Sequence, residues 1–268
     1  MAVDSSVADQ PPLKIDTAKP HSARIWNYWV GGKDHFAVDR EVGDKVLEVF
    51  PAVVDVARAS RAFLVRVVRY LTGEQGIRQF LDVGTGLPAA NNTHEVAQEV
   101  AADCRIVYVD NDPLVLAHAR ALLVGTPEGA TSYLDADVHD PDAILRAAAA
   151  TLDFSKPIAL MMLGILGNVT DYEQARGIVA RFVDAVVPGS YLVVNDGTTS
   201  EARERATQLG AEAGVIYVAR TPEQVAGYFA GLELIEPGVV STPLWRPDPT
   251  KDAPVALDVY CGVGHKSG

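Results

Sequence analysis

Five short runs of aliphatic and β-branched residues recur between residues 77 and 196, and each is followed or preceded by a segment with helical apolar spacing. The runs are IRQFLDV, RIVYVD, TSYLDAD, IALMML and SYLVVND. Near-continuous apolar runs of this length suit strands covered on both faces, and helix-length connections between them make parallel crossovers. A chain with this rhythm is confined to a mostly parallel sheet wrapped by helices. Beyond the fifth run, TPEQVAGYFAG reads as a short helix capped by Thr221. LELIEPG and VALDVYCGVG supply two more strands across the proline-rich LWRPDPTKDAP. The polar, helix-compatible DGTTSEARERATQLGAEAGV follows the fifth strand directly and is expected to lie over the strand ends as a flap.

The N-terminal part is different. Residues 1–20, rich in Pro, Ser and Asp, read as a disordered leader. From His21 to about residue 75 there is no strand alternation. RAFLVRVVRYL instead sets Phe63, Leu64, Val67, Val68 and Leu71 on one helical stripe with arginines opposite. The expected organisation is therefore a leader (1–20), a helical cap or lid (21–75) and a ligand-binding α/β domain (76–268). A length of 268 residues and 48% apolar content support one large, well-buried domain.

Charge narrows the partners. Lys and Arg total 23 against 35 Asp and Glu, a formal charge of -12, with no basic block to neutralise a run of phosphates. Nucleic acid is not expected. There is no signal-peptide pattern and no apolar run near the roughly 20 residues that span a membrane, so no membrane partner and a cytoplasmic location are expected. Cys104 and Cys261 fall inside strand-like runs without metal-ligand spacing and read as buried thiols. No metal site is expected.

The stretch LDVGTGLPAANNTHEVAQ carries most of the chemistry. Gly84 and Gly86 form a turn after a buried strand, where backbone can approach a ligand closely and a following helix presents free N–H groups. GTGLPA satisfies the G-x-G-x-x-A pattern of nicotinamide enzymes, a weak match by itself. Asp82 argues against a pyrophosphate over that turn and suits a ligand offering an ammonium. Asp110, with Asn111 beside it, ends the second run, where an acid accepts hydrogen bonds from both hydroxyls of a ribose. Asp137 and Val138 follow the third run, placed to hold an adenine by its exocyclic amine and to flank its face.

In order and spacing, LDVGTG, VYVDNDP, LDADVHD, IALMMLGILGNV and PGSYLVVND resemble the class I S-adenosylmethionine-dependent methyltransferases. With SARIWNYWVGGKDHFAVDR, RASRAFLVRVVRYL, THEVAQ and LWRPD added, the chain resembles an actinomycete-type S-adenosyl methyltransferase family formerly catalogued as a domain of unknown function. The resemblance implies a Rossmann-like fold: a seven-stranded, mostly parallel sheet with helices on both faces, an antiparallel last strand and a helical N-terminal extension. It implies S-adenosyl-L-methionine as cofactor, bound by Asp82, Gly84, Gly86, Asp110, Asn111, Asp137 and Val138, with Leu163 and Gly164 after the fourth strand. It also implies a lid in which Gly32 and Tyr28 meet the methionine end. His35 on that lid and Asn168 after the fourth strand are the candidate catalytic residues. Gly167 and Asn168 stand where the family pattern carries His and Phe, so acid–base or aromatic roles at that place do not transfer.

The expected activity is methyl transfer to a small-molecule acceptor, with a homodimer left open. Two alternatives stay open at this point: a non-catalytic module that binds S-adenosylmethionine, and a nicotinamide-dependent oxidoreductase.

Overall fold

The computed structural model describes residues 15–122, 125–250 and 253–268. Most of the leader expected over residues 1–20 lies outside the described residues. Three helices come first: α1 (Ser22–Trp29), α2 (Ala37–Val49) and α3 (Val53–Gly73). Then strands and helices alternate: β1 (Gln79–Val83), α4 (Thr93–Val100), β2 (Arg105–Asp110), α5 (Pro113–Leu122), β3 (Ala130–Asp135), α6 (Pro141–Ala148) and β4 (Ala159–Leu163). They continue with α7 (Tyr172–Ala185), β5 (Tyr191–Gly197), α8 (Glu201–Glu212), α9 (Pro222–Gly227), β6 (Glu233–Leu234), β7 (Val240–Ser241) and β8 (Val259–His265).

The sheet runs β3-β2-β1-β4-β5-β8-β6, with β7 pairing β8. Strands β1 to β5 pair in parallel, and β8 lies antiparallel to β5. The main path has the expected seven strands, mostly parallel, and the two-residue β7 beside β8 adds an eighth. Strand order reverses between β1 and β4, so the crevice at the carboxyl ends of those strands is where such a fold binds ligands.

Alternation along the strands divides the core. Leu81, Val107, Leu160 and Leu192 face α6 and α7 through Ile144, Ile178 and Phe182. Phe80, Ile106, Met161 and Val193 face the other way, onto Phe63, Val67 and Leu71 of α3 and onto the buried Trp245. The apolar stripe expected on 63–71 therefore belongs to the main sandwich, while α1, α2, the first turns of α3 and α8 stand over the strand ends. Helix starts follow the capping chemistry: Asp140, Asp171, Ser200 and Thr221 each accept a backbone N–H from the first turn of α6, α7, α8 and α9. Cys104 and Cys261 are buried free thiols, as their strand contexts suggested.

Candidate functional site

A cavity of about 420 Å³ opens at the carboxyl ends of β1, β2, β4 and β5. Its floor is the turn after β1. Gly84 has φ +75°, and a Cβ there would stand 2.6 Å from the Ile165 side chain, so the turn needs glycine. Gly86 (φ +67°) faces open space, with nothing within 4 Å of where a side chain would begin. The helix after this turn starts only at Thr93, capped by Asn92, whose own N–H donates to Glu95 at 2.7 Å. Its N-terminus is accordingly not stacked on the glycines, contrary to the simple strand–turn–helix expectation.

Asp110 sits at the tip of β2, buried, on the cavity wall. Its Oδ2 accepts the Gly86 N–H at 2.8 Å and its Oδ1 the Asp112 N–H at 2.9 Å. Burial raises its pKa, opposed by those two backbone donors. A carboxylate has about four acceptor positions, so two remain for a ligand. Asp137, more exposed, accepts from Asn111 Nδ2 at 3.2 Å and from the His139 backbone and ring at 2.9 and 2.6 Å. Slight burial would raise its pKa, but the His139 and Asn111 hydrogen bonds outweigh that and hold it below the ordinary carboxylate value. Val138, Leu163 and Gly164 complete this end of the cavity, and Asn168 lines it from the single 3-10 turn Leu166–Asn168.

The structure thus brings Gly84, Gly86, Asp110, Asn111, Asp137, Val138, Leu163, Gly164 and Asn168 onto one cavity. Four other expected residues do not line it. Asp82 shares the α3/α4 face of β1 with Phe80. It is buried behind the turn and accepts a 2.6 Å hydrogen bond from Thr93 Oγ1. Desolvation lifts its pKa to about 6 despite Thr93 and the nearby Arg61. It ties the end of β1 to the first residue of α4.

Tyr28 turns away on α1, donating to Asp44 at 2.5 Å and packing over Gly43. Gly32 sits against Asn27, where a Cβ would come within 2.4 Å of the amide. His35 bonds the Gly32 carbonyl (3.1 Å) and Arg40 (3.3 Å) and stacks edge-on with Tyr28. The N-terminal segment's contribution to the cavity includes His21, Ile25, Trp26 and Trp29. Tyr28, although at helical spacing from His21 and Ile25, is drawn to α2 by its hydrogen bond to Asp44.

Arg24 is committed to neighbouring acids. It is 4% exposed and lies 3.3 Å from Asp112 and 3.7 Å from Asp39. It ties α1 to α2 and to the start of α5.

The other half of the cavity held no sequence-flagged residue. Val42, Val46, Val53, Val56 and Val259 make an apolar wall, and the flap helix α8 closes it with Arg203, Ala206 and Gly210. At the end of β5, Asp196 accepts the N–H groups of Gly167 and Gly197, each at 3.0 Å, and the Tyr217 hydroxyl. Burial pushes Asp196 up to about 6. Gly167 has no side chain because the Tyr217 ring lies where its Cβ would be, 2.4 Å away.

A doubly wound sheet with a glycine turn after β1, an acid at the tip of β2 and a second after β3, all on one cavity, defines the class I S-adenosylmethionine-dependent methyltransferases. The sequence matches the S-adenosyl methyltransferase family over residues 8–267, and the chain belongs to that family. It is an enzyme that uses S-adenosylmethionine. A DUF574 family protein from Streptomyces avermitilis is 41% identical, with TM-score 0.91 over 94% of this chain and 100% of that one. A methyltransferase candidate from Thermobifida fusca is also 41% identical, with TM-score 0.87 over 96% and 99%. At 15% identity, an O-methyltransferase family 2 protein from Planctomyces limnophilus shares the fold alone, with TM-score 0.50 over 90% of this chain and 65% of that one. Among curated proteins, none matches the chain. No helix among the described residues is long and apolar enough to cross a membrane.

Proposed function

We propose that the chain transfers the methyl group of S-adenosylmethionine to a small apolar-bodied acceptor held between the sheet ends and helices α1, α2 and α8. The observation that carries this is the division of one cavity into a polar end with Asp110 and Asp137 and an apolar end with the five valines. Its volume is in the range of small-molecule sites.

The polar end fits the cofactor. Two acceptor positions on Asp110 suit a vicinal diol, and a low-pKa Asp137 fixed by His139 and Asn111 suits an exocyclic amine, with Val138 against the ring face. Gly86 and Gly164 leave open space on the cavity side. The bound cofactor supplies an electrophilic methyl on a sulfonium, already a good leaving group. The protein's part is then alignment and exclusion of water. Trp26 and Trp29 cover one side, the valines the other, and α8 closes the end. Asn168, whose side chain makes no hydrogen bond among the described residues, is a free polar group to orient an acceptor.

Calorimetric titration with S-adenosylhomocysteine and with NADH tests the reading. Saturable binding of the first and none of the second is expected. Tighter binding of NADH would overturn it.

A further inference from the structure

Arg203 is a buried cation in the apolar half of the cavity, in a chain whose net charge is -12. Its side chain lies 4.5 Å over the Phe50 ring, and its Nη2 donates to the Asp258 carbonyl at 3.1 Å. A guanidinium carries five N–H donors. This one makes no other hydrogen bond among the described residues, and its Nε is buried without a partner. Asp196 lies close enough for its charge to interact with Arg203, but the two form no ion pair or hydrogen bond. The Asp196 oxygens accept instead from Gly167, Gly197 and Tyr217. Gly197 keeps the approach clear: a Cβ there would lie 3.0 Å from both the Arg203 guanidinium carbon and the Tyr217 hydroxyl. Buried charges in proteins are normally paired, because an isolated one is costly to desolvate. A guanidinium left with open donors on a cavity wall is therefore short of an anion.

We infer that the acceptor carries a carboxylate that pairs with Arg203 while its apolar body packs on the surrounding valines. The inference rests on the methyltransferase reading only for the word acceptor; the anion site stands on Arg203 itself. A planar fork of donors matches a carboxylate in two-point geometry. One cation beside a valine wall, with Asp196 already hydrogen-bonded to its own neighbours, fits a single negative charge on a hydrophobic frame.

The test uses the unaltered protein first. Phenylacetate, 3-phenylpropionate, cinnamate and 2-naphthoate are titrated calorimetrically against their primary amides, with and without saturating S-adenosylhomocysteine. At least one carboxylate should bind roughly tenfold or more tightly than its amide, the scale of a charge-assisted pair. Arg203→Gln should bring that acid and its amide within about twofold while leaving S-adenosylhomocysteine affinity unchanged, and Arg203→Lys should retain part of the preference.

Equal affinity for every acid and amide, or no binding by any acid, overturns the inference and leaves Arg203 as a strut between Phe50 and Asp258. So does a preference that survives in a folded Arg203→Gln variant. If S-adenosylhomocysteine itself fails to bind, the methyltransferase reading falls, and the titrations without it still decide the anion site.

Discussion

Replacing Asp110 with alanine removes the group on which cofactor recognition is argued to turn. In the free protein its oxygens hold the N–H groups of Gly86 and Asp112, leaving two acceptor positions for ribose hydroxyls. Each hydrogen bond to a charged acceptor contributes about 1.5–3 kcal/mol, and water entering the emptied space recovers part of that, so the loss should be about 2–4 kcal/mol. At 1.4 kcal/mol per tenfold, this is a weakening of roughly 30- to 700-fold. The freed backbone donors face a cavity that water can reach, so global stability should fall by no more than about 1–2 kcal/mol. Calorimetry with S-adenosylhomocysteine reads the affinity and thermal unfolding the stability. A cycle with an analogue lacking both ribose hydroxyls isolates the contact, since the substitution should cost that analogue little. A folded Asp110→Ala variant that binds S-adenosylhomocysteine within about threefold of the native protein would refute the reasoning.

Three further outcomes follow from the geometry. The folded-state pKa of Asp82, about 6, lies above its ordinary 3.8, so folding favours the protonated form. That contribution is complete below about pH 4 and is lost as pH rises through 6. Asp82→Asn should therefore gain stability over the native protein between pH 4 and 7 by about 1–3 kcal/mol, read from denaturation midpoints across that range. A gap that does not change with pH would show that Asp82 does not carry a raised pKa. Arg24→Met leaves Asp39 and Asp112 buried without the Arg24 guanidinium, with His21 alone beside Asp112, and should cost about 3–5 kcal/mol in chemical denaturation; a loss below about 1 kcal/mol would show that Arg24 does not hold these two acids together. His35→Ala and Tyr28→Phe, both turned from the cavity, should leave S-adenosylhomocysteine affinity within about twofold, and a larger loss by calorimetry would put α1 in a different orientation.

Much of the sheet could be read from the sequence because β1, β2, β4 and β5 are buried on both faces over most of their length and so appear as near-continuous apolar runs between turn residues. β7 could not: two residues, Val240 and Ser241, are too short for any period. The placement of α3 was likewise hidden, since an amphipathic stripe shows that a helix has a buried face and not what covers it.

In the site, the acids at strand tips were legible because topology sends every such tip to one crevice. Asp82 adjoins the glycines in sequence, while strand alternation turns its side chain to the α4 layer, a placement that sequence adjacency does not show. Helical phase on α1 does not separate Tyr28, which is three residues from Ile25 and seven from His21, from Trp26 and Trp29; the Asp44 partner that draws Tyr28 to α2 lies 16 residues away and has no local signal. Arg203 looks like an ordinary polar-helix charge in EARERATQLG. Its clue is the small residues Ala206 and Gly210 that follow at helical spacing and let α8 press onto the core.

A crystal structure with S-adenosylhomocysteine tests the central claim most directly. The account predicts ribose hydroxyls on Asp110, the adenine against Val138 with its amine at Asp137, and the apolar half beside the valines and Arg203 left open beyond the sulfur. An adenine bound elsewhere, or a cofactor that fills the apolar half and leaves no room for an acceptor, would contradict it.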